Sequence, residues 1–252
     1  MNRPDRDRLL AEVAEVEGWM SPAQGRRLWD AAAAVRRWGT IVEIGSYRGK
    51  SAVVLASAAD PTVRVIAVDP HAGNDRGPRQ IHGAAGEGQA DHEAFLANLA
   101  RFDVGDRVEH VRRFSSAAWA EVLDDESGPI DVLYIDGAHR FGPARDDLVR
   151  WGAAIRPGGT MLVHDAYSSV GVTLALMTTT VLGARFRYGG RDGSLTRYRR
   201  RDLTLAERPG NALRQLLPLG WFARNLVVKA LLVVHLGRPA RLLGHDGETW
   251  PY

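Results

Sequence analysis

The segment Glu43-Ile44-Gly45-Ser46-Tyr47-Arg48-Gly49-Lys50-Ser51 settles the architecture of this 252-residue chain. The apolar run Thr40–Ile44 before it reads as a buried strand, and residues 50–59 after it as a helix. Between them, two glycines let a ligand approach the backbone, and the helix N-terminus favours anionic groups. Only three residues separate these glycines, and Ile44 stands where a G-x-x-x-x-G-K-S phosphate cradle has its first glycine. Such a cradle is one residue too short to wrap a phosphate. Tyr47 occupies the second glycine position of a G-x-G-x-x-G turn, which blocks the close approach of a pyrophosphate.

Beyond this loop, short β-branched runs alternate with longer helical patterns. Residues 64–68, 107–111, 131–135 and 160–163 read as strands, and residues 91–102, 116–123 and 143–155 as helices. Strands separated by helices predict a parallel sheet covered on both faces. Residues 185–188 and 194–199, joined by the turn-rich Gly189–Gly193, suit an antiparallel hairpin at the sheet edge. Residues 1–40 form a helical lead-in, with Ser21-Pro22-Ala23-Gln24 as a capping box. The glycine-rich stretch 70–89 has no periodicity and reads as a loop on the functional rim. Residues 41–201 then make the main domain, and residues 202–252 an appendage the alternating sheet does not need.

Composition narrows the chemistry. The absence of cysteine excludes disulfide scaffolds, thiolate metal sites and cysteine nucleophiles. The N-terminus lacks an apolar signal-peptide core, so the expected compartment is the cytoplasm. The 33 basic and 30 acidic residues give a net charge of +3, which divides unevenly. Residues 1–196 carry −3 and residues 197–252 carry +6. The main domain therefore does not suit a phosphate backbone, and no nucleic-acid partner is expected. Within the tail, the apolar stretch 213–236 is interrupted by Pro218, Gly220, Arg224, Asn225 and Lys229. A central Arg or Lys costs a spanning helix ~2.5–3.5 kcal/mol. The tail is expected to pack on the domain or on a dimer partner, the alternative being peripheral contact with an anionic membrane surface.

A third reading of the glycine loop, acidic-x-Gly-x-x-x-Gly, suits a ligand with an ammonium group and no phosphate, because Glu43 is then useful. On this loop the chain resembles the class I S-adenosylmethionine-dependent methyltransferases, and their O-methyltransferase branch with its E-I-G-x-x-x-G-x-S motif. The resemblance runs from about residue 41 to 200. It implies a Rossmann-like α/β fold with a mostly parallel seven-stranded sheet. It also implies that Glu43, Gly45, Ser46, Tyr47, Gly49 and Ser51 cradle the cofactor. Asp69, 26 residues after Glu43, would accept hydrogen bonds from the ribose hydroxyls. Phe114, Ser115 and Ser116 would border the adenine, with Asp136 completing the site.

Two further strands end in Asp136-Gly137-Ala138-His139 and in His164-Asp165. In a parallel sheet such ends share one rim, so these residues should converge on the cofactor. The pattern resembles the metal-dependent sugar O-methyltransferases, including those acting on macrolide deoxysugars and on the methylmannose polysaccharide of mycobacteria. The resemblance implies a divalent cation, magnesium or manganese, held by Asp136, His164 and Asp165, with His139 as general base. His164 departs from the family, which often has Glu there, and imidazole is a poor magnesium ligand. The acceptor would be a sugar or glycoside. An aromatic diol or other small hydroxylated metabolite, or a cofactor-binding adaptor without turnover, are the alternatives. Asp146 and Asp147 are expected on a solvated helix face or at a helix start, Trp119 and Trp151 in the core, and Tyr167 beside the acceptor.

Overall fold

The computed structural model describes residues 4–73, 84–123 and 128–245. Two helices lead in, α1 (Arg6–Val13) and α2 (Pro22–Ala33). At the start of α2, Ser21 Oγ accepts from Gln24 N while Gln24 Oε1 accepts from Ser21 N, so the capping box forms as expected. Strands and helices then alternate: β1 (Thr40–Ile44), α3 (Lys50–Ala58), β2 (Arg64–Val68), α4 (Ala85–Arg101), β3 (Val108–Val111), α5 (Ser115–Val122), β4 (Ile130–Ile135), α6 (Phe141–Ala153), β5 (Ile155–Val163) and α7 (Val170–Leu176). The hairpin β6 (Phe186–Asp192) and β7 (Leu195–Arg200) follows, then α8 (Glu207–Leu216), α9 (Leu219–Val233) and α10 (Gly237–Leu242).

The seven strands form one sheet in the order β3-β2-β1-β4-β5-β7-β6. β1 to β5 are parallel, and β7 runs antiparallel between β5 and β6. The order reverses at β1 and β4, whose carboxyl ends open a crevice where ligands of such sheets bind. Two apolar layers cover the faces. One joins Leu28, Ala52, Leu55 and Phe95 to Ile41, Val65 and Tyr134, and the other joins Val42, Ile66 and Leu133 to Leu148, Trp151 and Leu176.

Two sequence expectations need correction. β5 begins at Ile155, five residues earlier than its apolar run, because Ile155 pairs with Ile130 before a register shift at Ile130/Val132. Pro157-Gly158-Gly159 therefore lies within the strand as an irregularity. The expected loop 70–89 ends sooner than its composition suggests, since α4 already includes Ala85 to Gln89. Gly88 serves close packing there: a Cβ would lie 2.0 Å from His71 O. The middle of that stretch, 74–83, falls outside the described residues.

The tail folds as helices against the second layer. Leu219, Trp221 and Phe222 pack on it, and the Arg191 guanidinium lies 4.4 Å from the Trp221 ring. Among the described residues, one helical run, Glu207–Val233, is long and apolar enough to cross a membrane by length and composition.

Candidate active site

The glycine loop crosses the carboxyl end of β1 in a conformation its sequence anticipates. Gly45 and Gly49 have φ of 85° and 84°, and Tyr47 joins them in the left-handed region at 47°. A Cβ on Gly45 would sit 2.2 Å from Asp136 O, so glycine lets the end of β4 approach. That approach is fixed by Asp136 N donating to Ile44 O at 2.8 Å.

Asp69, at the end of β2, holds the loop. Its Oδ2 accepts from Ser46 N and Tyr47 N, both at 2.8 Å, and its Oδ1 from His71 N at 2.7 Å. Three of about four lone-pair positions on the carboxylate are thus taken by backbone. The expected ribose acceptor has a structural task as well.

Around this loop opens a cavity of about 500 Å³, a size typical of small-molecule sites. Its lining includes Gly45, Ser46, Tyr47, Ser51, Asp69, Phe114, Ser115, Ser116, Asp136, His139, His164 and Asp165. The loop and the rim residues are thereby brought to one space. Glu43 is not part of that lining: it is fully buried behind the loop, and neither carboxylate oxygen has a hydrogen-bond partner. Burial pushes its carboxyl up to about 8. Ser46 Oγ is likewise buried without a partner, and it does line the cavity. A polar ligand there would satisfy it, so the loop fits a cofactor bearing hydrogen-bonding groups.

At the facing rim four side chains meet. His139 Nε2 lies 2.7 Å from Asp165 Oδ2, and Ser168 Oγ donates to Asp165 Oδ1 at 2.8 Å. His164 Nδ1 lies 3.1 Å from Asp136 Oδ1 and 3.6 Å from Asp165 Oδ2, while Tyr134 OH donates to Asp136 Oδ2 at 2.8 Å. His164 is buried and His139 is 38% exposed at its side chain, so the two imidazoles flank the carboxylates from inside and outside. Burial opposes the charge on both histidines, but the carboxylates prevail. Asp136 and Asp165 hold His164 well above its ordinary value, and the hydrogen bond to Asp165 raises His139. Burial would raise Asp165, yet the His164 charge and the His139 hydrogen bond pull it well below the usual carboxylate range.

Asp136, His139 and Asp165 each offer a ligand atom, the three lying within 4.8 Å of one another, which fits a metal ion. This trio differs from the expected ligand set by taking His139 in place of His164. One imidazole and two carboxylates suit manganese better than magnesium, which prefers oxygen donors throughout.

Several other expectations need amending. Tyr167 is fully buried, with its OH donating to Gln215 O at 2.6 Å, and it does not line the cavity. Asp147 is buried against the cavity instead of solvated, and burial pushes its carboxyl up to about 6 while Ser115 opposes the shift. Asp146 is exposed and also lines the cavity. Trp119 and Trp151 meet edge to face in the core, as expected. The sequence reading passed over Glu17, Trp19 and Met20, which wall the cavity from the lead-in. Tyr47 OH donates to Glu17 Oε1 at 2.8 Å, and its ring lies 5.4 Å from that of Trp19. No local motif marks such a distant partner. His71 was also missed as a site residue, though its place directly after Asp69-Pro70 pointed to the rim.

The strand order, the glycine loop and the acid at β2 define the class, the S-adenosylmethionine-dependent methyltransferases of Rossmann-like fold. The particular family is indicated by comparison: residues 42–166 match the family model Methyltransf_24, a methyltransferase domain. An uncharacterized protein of Acanthamoeba polyphaga mimivirus is 28% identical over 128 residues, 50% of this chain and 51% of that protein. The match thus spans about half the length of that relative. Among solved structures, the O-methyltransferase from Bacillus cereus in complex with SAH has a TM-score of 0.57 at 18% identity, covering 78% of this chain and 92% of that one. CalS11, a calicheamicin methyltransferase also described as a TDP-rhamnose 3'-O-methyltransferase, has a TM-score of 0.53 at 16% identity, covering 77% and 90%.

Proposed function

We propose that this protein transfers a methyl group from S-adenosylmethionine to a hydroxyl oxygen of a sugar or glycoside. The single observation that carries the reading is the pairing of His139 Nε2 with Asp165 Oδ2 at 2.7 Å, on the wall of the cavity that the glycine loop borders. The likeness to CalS11, a TDP-rhamnose 3'-O-methyltransferase, supports the choice of acceptor.

When bound, the sulfonium cofactor supplies an electrophilic methyl group, and in-line attack by the acceptor oxygen forms the ether as the carbon–sulfur bond breaks. Gly45, Ser46, Tyr47 and Ser51 bind it with Asp69, while Ser115, Ser116 and Asp147 border its far end. His139 takes the proton of the acceptor hydroxyl at Nε2, a role worth ~10²–10⁴ in rate. Asp165 orients His139 and stabilises the imidazolium that results. Asp136 and Asp165 would hold a divalent cation, which would lower the pKa of the hydroxyl as a Lewis acid. In a second reading, favoured by the 4.8 Å grouping, His139 would be a third ligand to the cation and would not take the proton.

The test is mass spectrometry of products from a panel of glycosides, sugar nucleotides and catechols incubated with the cofactor. A methyl ether on a sugar is expected. Methylation of catechols alone would move the acceptor class to aromatic diols, and cofactor binding without turnover on any acceptor would favour an adaptor.

A further inference from the structure

α8 and α9 carry a polar stripe on the side that meets the domain: beside the packed Leu219, Trp221, Phe222 and Val228, Asn211, Gln215 and Asn225 are buried and Lys229 is half-buried. Their spacing of four, ten and four residues puts them on one helical stripe. Three of them grip the domain through hydrogen bonds. Asn211 accepts from Tyr188 N at 2.8 Å and donates to Phe186 O at 3.1 Å. Gln215 Oε1 accepts from Thr180 Oγ1 at 2.9 Å, and Lys229 Nζ donates to Ser168 O at 2.8 Å. Outward point Leu213, Leu217, Val227, Val233, Leu236 and Leu242, from 49% to 90% exposed. Only 11% of the most apolar window in Glu207–Val233 is buried within the chain. Exposed apolar side chains on this scale mark a surface built to be covered.

Three covers are conceivable, and the charges choose among them. A second copy of the same face would set the surface cations Arg208, Arg214, Arg238 and Arg241 against their equals, with only Asp202 and Glu207 to offset them among residues 202–245. A membrane-spanning helix would have to carry Asn211, Gln215, Asn225 and Lys229, and the domain they grip, into hydrocarbon. A basic, outwardly apolar helix held to a folded domain by its polar stripe instead matches a helix lying in a lipid interface.

We propose that α8 to α10 dock the protein on the surface of an anionic lipid bilayer, with the outward Leu and Val side chains entering the headgroup boundary. The grip reaches the catalytic rim, because Ser168, whose carbonyl Lys229 holds, donates to Asp165.

The test is co-sedimentation of the full chain with vesicles of phosphatidylglycerol mixed into phosphatidylcholine, against pure phosphatidylcholine. The wild type is expected to sediment with the anionic vesicles and to be released by high salt. The double variant Leu217→Glu, Val227→Glu changes exposed positions only, so its thermal melting should match the wild type. It should bind at least about tenfold more weakly, equivalent to ~1.4 kcal/mol. Wild type that stays in the supernatant, or a folded double variant that binds anionic vesicles equally well, would overturn the proposal. A wild-type dimer split by the same substitutions, with no vesicle binding, would assign the face to a second copy.

Discussion

His139 Nε2 and Asp165 Oδ2 stand 2.7 Å apart at the ends of two different loops, one after β4 and one after β5. Neither residue reaches the cavity without the adjacent parallel register of those strands, in which Ile135 pairs with Val163. Replacing His139 by Ala should lower kcat by ~10²–10⁴ if it is the base. Binding of S-adenosylhomocysteine, measured by calorimetry, should stay near the wild-type value, because the glycine loop is on the other wall. Near-wild-type turnover in His139→Ala would remove His139 from the chemistry.

Asp69 supports a second prediction. Its three backbone hydrogen bonds are made to a charged acceptor, a type worth ~1.5–3 kcal/mol each. Asp69→Ala should loosen the Ser46–Tyr47 turn, lower the melting temperature and weaken S-adenosylhomocysteine at least about tenfold, or ~1.4 kcal/mol. A ribose contact alone would weaken the ligand without moving the melting temperature of the ligand-free protein, so the two readouts separate the roles.

Glu43 makes a prediction about pH. Its carboxyl rises from an ordinary 4.5 to about 8 on burial, so the folded protein holds a proton there that the unfolded chain has released. More protons on the folded state means stability falls with rising pH. The contribution is fully present below about 4.5 and is lost as pH climbs through about 8. Glu43→Gln should flatten that decline and make the ligand-free protein the more stable one at pH 8, as read from chemical denaturation across the range. A decline of the same slope in the variant would show that another group is responsible.

Much of this was legible in the sequence, for a definite reason. β1 and β2 are buried apolar runs, and their limits fell where composition placed them, at Thr40–Ile44 and Arg64–Val68. The rim residues were legible because a parallel sheet sends every strand end to one side, so Asp69, Asp136 and His164-Asp165 needed only correct strand assignments. Composition misled where glycine served packing: Gly88 fell in the glycine-rich stretch read as a loop, yet a Cβ on it would strike His71 O at 2.0 Å. The wall from Glu17 to Met20 was illegible because it depends on the long-range contacts of Tyr47 with Glu17 and Trp19. The polar stripe by which α8 and α9 meet the domain needed the fold as well, since an apolar helix reads alike whichever way it faces.

The last prediction concerns the metal. Asp136 and Asp165 are hard oxygen donors, whereas His139 contributes nitrogen, and the three ligand atoms lie within 4.8 Å of one another. A nitrogen donor disfavours magnesium, which keeps to oxygen, and suits manganese. Protein treated with a chelator should therefore lose turnover, and manganese should restore more of it than magnesium at equal concentration. Manganese also reports directly on its site by electron paramagnetic resonance, without any reaction. The signal of free manganese should fall on adding wild-type protein and should persist with Asp165→Ala, which removes a ligand and the partner of His139 together. His139→Ala divides the two readings of that side chain: a general base can be lost with manganese binding intact, whereas loss of a ligand weakens binding and turnover alike. Full activity after exhaustive chelation would leave Asp165 and His139 to act as an acid–base pair with no ion.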